Sequence, residues 1–119
     1  MTSLDRSSRI GFIGSGTVGG SLSSALAERG YHVVASASRT FSSAQGLAGR
    51  ISGCVAYQTG QEVADLTDVV FITTSDDVIG AVASRITWRP GQGVVHSSGA
   101  ESLGVFDNAV QQDALAGAF

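Results

Sequence analysis

Apolar positions along the chain come in short unbroken runs, and between the runs they recur every three or four residues. The runs predict strands at Arg9 to Ile13, Tyr31 to Ser36, Gly53 to Tyr57, Asp68 to Thr74 and Gly93 to His96, with an apolar strand-like end at Leu115 to Phe119. Asp68-Val69-Val70-Phe71-Ile72-Thr73-Thr74 is the clearest, because consecutive apolar residues mark a strand covered on both faces. The intervening segments read as helices. Val18, Leu22, Ala25 and Leu26 make the first, and Gly30 is placed to cap its C-terminus. Ala44, Leu47, Ala48 and Ile51 make the second. Thr59-Gly60-Gln61-Glu62 has the form of a capping box that opens a short helix through Ala64. Ile79, Val82, Ala83 and Ile86 mark a fourth helix; Leu103, Phe106 and Val110 mark a fifth. Trp88-Arg89-Pro90-Gly91 reads as a turn.

Strand and helix thus alternate throughout, which calls for an α/β fold: a doubly wound parallel sheet of about six strands with helices on both faces. With 119 residues there is room for one domain, here residues 9–119. Residues 1–8 are polar and expected to be frayed.

Composition narrows the chemistry. The net charge is −3, which argues against a nucleic-acid footprint. The seven basic residues are all arginine, so no lysine chemistry originates in this chain. The single cysteine, Cys54, allows no internal disulfide and no cysteine-rich metal site, and it is expected to be a buried small hydrophobe. No metal site is expected. Ile10 to Ala27 carries no charge, follows Arg6 and Arg9, and ends on Ala25-Leu26-Ala27. That combination invites a secretory-signal reading. Gly11, Gly14, Gly16, Gly19, Gly20 and several serines interrupt the apolar core such a signal needs. The expected location is therefore the cytoplasm, with no membrane partner.

The same glycines form Gly14-Ser15-Gly16-Thr17-Val18-Gly19, a G-x-G-x-x-G between a strand and a helix. In that setting Gly14 permits a tight turn, Gly16 lets a pyrophosphate approach the backbone, and Gly19 lets the helix pack close to the sheet. The helix N-terminus then meets the phosphates. A dinucleotide is the implied ligand. NAD-binding chains usually place a carboxylate after the second strand. Here Tyr31 to Gly60 contains none, and Ser38-Arg39-Thr40 stands at that position. A guanidinium fork with two hydroxyls suits a 2′-phosphate, which favours NADP over NAD. The competing reading is a solvated Arg39 with Thr40 as a helix cap. The missing carboxylate also counts against a methyltransferase using S-adenosylmethionine.

Two further stretches stand at carboxyl ends of strands, where such sheets hold ligands. Thr73-Thr74-Ser75-Asp76-Asp77 would run along the cofactor, with Asp76 and Asp77 better suited to a helix's first turn than to catalysis. His96-Ser97-Ser98-Gly99 follows the fifth strand. His96 could polarise a substrate or be a bonded core residue. Ser98 with Glu101 could form a capping box, and His32 reads as structural. A G-x-S-x-G nucleophile elbow is absent.

In order, "IGFIGSGTVGGSLSSALAERGYHV", "SRT", "DVVFITTSDD" and "VVHSSGA" resemble the nucleotide-binding, Rossmann-like domain of the 6-phosphogluconate-dehydrogenase-like superfamily. Pyrroline-5-carboxylate reductases, 3-hydroxyisobutyrate dehydrogenases and deazaflavin-dependent NADP reductases belong to that group. The chain most resembles a branch whose Rossmann-like domain precedes a helical domain of unknown function. The resemblance covers nearly the whole chain from Arg9. It implies that Gly14, Ser15, Gly16, Thr17 and Val18 lie on the pyrophosphate. It also implies Ser38, Arg39 and Thr40 at the 2′-phosphate, and Thr73, Thr74 and Ser75 along the cofactor. Candidate substrate-side residues are His96, Ser97 and Ser98. Two departures stand out: relatives usually carry proline where this chain has Ser75, and they continue into a helical domain that supplies dimer contacts, much of the substrate pocket and, in the better-known dehydrogenases, a catalytic lysine. The expectation is an NADP(H)-binding half of an oxidoreductase acting on a small molecule, in a shortened form or a proteolytic remnant. It would dimerise only with the helical domain. The alternative is a non-enzymatic nucleotide-sensing module.

Overall fold

A computed structural model describes residues 6–98 and 103–118. Six parallel strands form one sheet: β1 (Arg9–Ile13), β2 (His32–Ala37), β3 (Val55–Ala56), β4 (Val69–Ile72), β5 (Gly93–His96) and β6 (Leu115–Ala118). Their order across the sheet is β3-β2-β1-β4-β5-β6. This is the doubly wound Rossmann order, with the direction of winding reversing between β1 and β4. The helices are α1 (Thr17–Glu28), α2 (Phe41–Ala48), α3 (Gly60–Leu66), α4 (Ile79–Ser84) and α5 (Asp107–Gln111).

The central strands explain the pattern of unbroken apolar runs. All four residues of β4 are buried, because helices cover both of its faces. On one face Ile10, Phe12, Val69 and Phe71 pack with Leu26 of α1 and Leu47 of α2. The Phe12 and Phe71 rings stack there, 5.1 Å apart. On the other face Ile13, Val70, Ile72 and Val94 pack with Val63 of α3, Ile79 and Ala83 of α4, and Phe106 and Ala109 near α5.

β2 does not run evenly along β1. Ile10 pairs with Val33 but Gly11 pairs with Ala35, so Val34 is an extra residue in β2. This bulge turns Val34 and Ala35 to the same side. Val33 packs with the α1/α2 cluster, whereas Val34 and Ala35 pack with the α3 cluster. Gly11 is where α3 comes closest: a Cβ there would lie 2.3 Å from Val63 Cγ1.

Helix ends follow local chemistry. Gly30, at φ +87°, closes α1 with bonds from Gly30 N–H to Ala27 O and Tyr31 N–H to Leu26 O. Thr59 and Glu62 form the predicted capping box on α3. Ala64 O in α3 and Thr67 O just after it accept from both Arg89 and Gln92. The segment read as a turn therefore also closes a helix, and it places Trp88 in the core with its indole N–H on Ala83 O.

Several predicted details differ. α2 ends at Ala48, and Ile51 reaches the core from the following turn. β3 is only two residues long, and β2 is shifted by one residue to His32–Ala37. α1 is seated through Gly19, Gly20, Ser23 and Leu26, while Val18 is 53% exposed; small residues rather than the larger apolar stripe settle its orientation. In α5 the inward residue is Ala109, and Val110 faces out because a 3-10 turn over Leu103–Phe106 precedes the helix. Residues 6–8 are packed: Arg6 bonds Arg29 O and lies over the Tyr31 ring, and Ser8 is buried. Residues 1–5, Phe119 and the predicted Ser98–Glu101 box, at Glu101, fall outside the described residues. Cys54 is half-buried rather than fully enclosed, and this burial pushes its thiol up to about 11. His32 lies exposed at the start of β2.

Candidate functional site

The glycine loop sits at the reversal point between β1 and β4, and its two neighbouring strands hold it. Gly14 N–H donates to Ala37 O at the end of β2 (2.9 Å). On the other side Thr73 N–H donates to Ile13 O (2.8 Å), and the Thr73 hydroxyl donates to Gly14 O (2.7 Å). Ser15 Oγ donates to Ser38 Oγ across the loop (3.0 Å). Gly14 takes φ +102°, and a Cβ there would lie 2.7 Å from the Thr73 carbonyl carbon. At Gly19 a Cβ would lie 2.5 Å from Gly14 O. At Gly16 it would meet nothing within 4 Å.

The N-terminus of α1 is accordingly left open. Its cap is Gly16, which has no side chain to bond the first-turn N–H groups, and no acidic residue lies in that turn. A bare helix N-terminus attracts an anion through its free donors and its dipole. It opens on a cleft of about 900 Å³. Gly14, Ser15, Gly16, Ser38, Arg39, Thr73, Thr74 and Ser75 line this cleft together with Thr59, Gly60, Gln61, Val82, Arg85 and Ile86. The lining contains two arginines and no carboxylate. Neither guanidinium has an ion-pair or hydrogen-bond partner among the described residues; the one ion pair there joins Arg9 to Asp68.

The remaining candidates stand apart from the cleft lining. Thr40 caps α2, accepting from Ser43 N–H and donating to Ser43 Oγ. Thr17, Val18 and Gly19 begin α1 behind the loop, where their contribution is backbone. Asp76 and Asp77 lie exposed in the short 3-10 turn before α4, with no side-chain cap bond. His96 is fully buried at the end of β5, its ring 5.3 Å from that of Phe106. His96 Nδ1 accepts the Ser98 N–H (3.1 Å), so in the neutral ring the proton sits on Nε2, which has no partner among the described residues. Arg85 was not singled out from sequence. An arginine at the end of a helix reads as a solvated residue, and Arg85 is exposed even where it reaches the cleft lining.

No group of three or more metal-ligating side chains occurs among the described residues, and no helix there is long and apolar enough to cross a membrane.

Known structures share this architecture. An imine reductase from Pseudomonas sp. matches with a TM-score of 0.76 at 20% identity, covering 92% of this chain and 41% of the other. The 3-hydroxyisobutyrate dehydrogenase of Mycobacterium tuberculosis matches with a TM-score of 0.75 at 23% identity, covering 92% and 38%. A Bacteroides fragilis protein provisionally described as an NADP oxidoreductase matches with a TM-score of 0.75 at 24% identity, covering 84% and 39%. The chain thus spans about two-fifths of the length of these proteins. At these identities the likeness establishes the fold alone, a Rossmann-like α/β sheet. Comparison with the curated proteins finds no match. Residues 9–98 match the family described as "NADP oxidoreductase coenzyme F420-dependent". The chain belongs to the NADP oxidoreductase coenzyme F420-dependent family.

Proposed function

We propose that residues 9–119 are the NADP(H)-binding domain of an oxidoreductase whose reaction with a small substrate is completed by a helical region C-terminal to it. The observation that carries this reading is the uncapped N-terminus of α1 facing a carboxylate-free cleft, with Gly16 leaving open space where a phosphate would approach. These features fit a pyrophosphate, whose charge is what the bare first turn lacks. When bound, the dinucleotide supplies hydride exchange at its nicotinamide ring. Every other task falls to the protein.

In this assignment Gly14, Ser15 and Gly16, with the backbone of Thr17, Val18 and Gly19, hold the pyrophosphate. Ser38 and Arg39 read the 2′-phosphate, and Thr40 positions them by capping α2. What supports NADP over NAD is the unpaired Arg39 guanidinium beside the Ser38 hydroxyl, with no carboxylate between Tyr31 and Gly60. Thr73, Thr74 and Ser75 follow the nicotinamide half. His96, Ser97 and Ser98, at and beyond the end of β5, would stand on the substrate side. The helical region would also supply the homodimer contacts.

Titration by nicotinamide fluorescence tests the proposal. NADPH is expected to bind more tightly than NADH. Arg39→Ala is expected to weaken NADPH roughly tenfold or more, the worth of a charge-assisted bond, and to leave NADH nearly unchanged. Equal losses for both would remove the 2′-phosphate assignment. No binding of either would remove the cofactor reading.

A further inference from the structure

The end of β5 carries a side chain that the cleft does not use. His96 is fully buried, its ring lies 5.3 Å from that of Phe106, and it is not part of the cleft lining. Its Nε2 has no partner among the described residues. An unpaired ring N–H in the core is a cost, and leucine or phenylalanine would fill the same place without it. What histidine offers instead is Nδ1, which accepts the Ser98 N–H at 3.1 Å.

This bond spans residues i and i+2. Asparagine and aspartate make the same contact in an Asx turn, where a side-chain oxygen accepts the backbone N–H two residues on. The imidazole reproduces it because Nδ1, like an asparagine Oδ1, stands two bonds from Cβ. The bond therefore bends the chain as it leaves the strand. The bend lies next to the cleft. His96 pairs with Ile72, so β4 and β5 end at the same level, and Ser97–Ser98 leave the sheet beside Thr73–Ser75, which follow β4 in the chain. In a doubly wound sheet each half holds one mononucleotide. With Ser38 and Arg39 at the end of β2 assigned to the 2′-phosphate, the half containing β4 and β5 takes the nicotinamide nucleotide. We propose that His96 is a positioning residue for the nicotinamide end of the dinucleotide: its Nδ1 folds Ser97 and Ser98 into a turn, and the turn rather than the imidazole meets the ligand. The proposal rests on the nucleotide reading of the cleft.

The test compares two ligands by calorimetry: NADPH, and 2′-phospho-ADP-ribose, which has the same nucleotide without the nicotinamide ring. Each is titrated into the unaltered chain and into His96→Leu, His96→Gln and His96→Asn. His96→Leu removes the acceptor, and His96→Gln carries it one carbon too far. Both are expected to weaken NADPH about 3- to 10-fold, the worth of one hydrogen bond, and to leave 2′-phospho-ADP-ribose unchanged. His96→Asn keeps the acceptor two bonds from Cβ but loses the ring contact with Phe106. It is expected to restore NADPH affinity to within about twofold, while unfolding at a lower temperature than His96→Leu, which fills the core. A side chain that only held the core together would give another pattern, with affinity for both ligands following thermal stability. That pattern, an asparagine variant as weak as the glutamine one, or no loss of NADPH affinity in any variant would overturn the proposal and leave the cleft assignment standing. Failure of the unaltered chain to bind either ligand would overturn the cleft assignment itself.

Discussion

Two of the loop glycines separate binding from stability, and a pair of alanine substitutions exploits the difference. At Gly16 the added methyl meets no atom within 4 Å, and the residue's φ of −71° is open to alanine. Alanine is a poorer N-cap than glycine by about half a kcal/mol, and the stiffer unfolded chain returns a similar amount. Stability is therefore expected to change by less than about 0.5 kcal/mol. The methyl nevertheless stands where a phosphate must approach the first turn of α1. Losing one charge-assisted N–H contact costs about 1.5–3 kcal/mol, a tenfold to hundredfold loss of affinity. At Gly19 the balance reverses. The methyl would lie 2.5 Å from Gly14 O and 2.6 Å from Thr73 Oγ1. The hydroxyl can rotate away only by giving up its 2.7 Å bond to Gly14 O, and the backbone must also yield. Overpacking at about 1–3 kcal/mol and a lost bond near 1 kcal/mol outweigh the roughly 1 kcal/mol gained by alanine inside a helix. The expected net loss is about 1–3 kcal/mol, read as a lower urea midpoint at unchanged slope. Urea unfolding and NADPH titration on both variants decide the matter. A Gly16→Ala protein that binds normally, or a Gly19→Ala protein as stable as its parent, would refute this division of roles.

Three other substitutions probe single contacts. Ser36 is fully buried in β2, and its hydroxyl has no partner among the described residues, so Ser36→Ala is expected to raise stability by up to about 1 kcal/mol; a clear drop in Tm would show that the hydroxyl is satisfied. Thr73→Val keeps the shape but removes the bond to Gly14 O, and is expected to cost about 1 kcal/mol and to weaken NADPH binding measurably by fluorescence. The Cys54 thiol, pushed up to about 11 from an ordinary 9.0, favours the protonated folded state. Its contribution is complete below pH 9 and is lost as pH rises toward 11, by about 1 kcal/mol once its partial exposure is allowed for. Urea midpoints from pH 8 to 11 are expected to fall more steeply for the unaltered chain than for Cys54→Ala, and parallel curves would contradict this.

The parts of the fold legible in the sequence are those where one local signal dominates. The run at β4, the capping box at Thr59 and the cap at Gly30 each follow from a few adjacent residues. Alternation of runs and helical spacings then suffices for a parallel sheet. What escaped reading depends on contacts between distant segments. The extra residue in β2 leaves no trace in Val33-Val34-Ala35, because either face would accept these side chains. α1 carries larger apolar residues at Val18, Leu22 and Leu26; Leu26 and, in part, Leu22 reach the core, while Val18 faces out because Gly19 and Ser23 take the close approach to the loop and sheet. Trp88 and Arg89 sit in a turn by composition, but they meet Ala83 O and the end of α3 only after folding. Arg85, exposed at the end of α4, reaches the cleft lining by the same kind of long-range placement.

The loop's own backbone bonds leave the site ready for a ligand. Gly14 gives its N–H to Ala37 O and receives Thr73 Oγ1 on its carbonyl, and Gly16 O accepts from Gly20 N–H. Ser15 and Ser38 bond one another, drawing the loop toward the end of β2. The internal partners therefore lie on the side of the strands and of the helix body, and the first-turn donors of α1 face the cleft without a side-chain cap. Neighbouring strands hold this arrangement before any anion arrives, so binding has little loop ordering to oppose it. A serine or aspartate at position 16 would cap the helix and stabilise it alone. Glycine forgoes that capping bond and keeps the donors for the ligand.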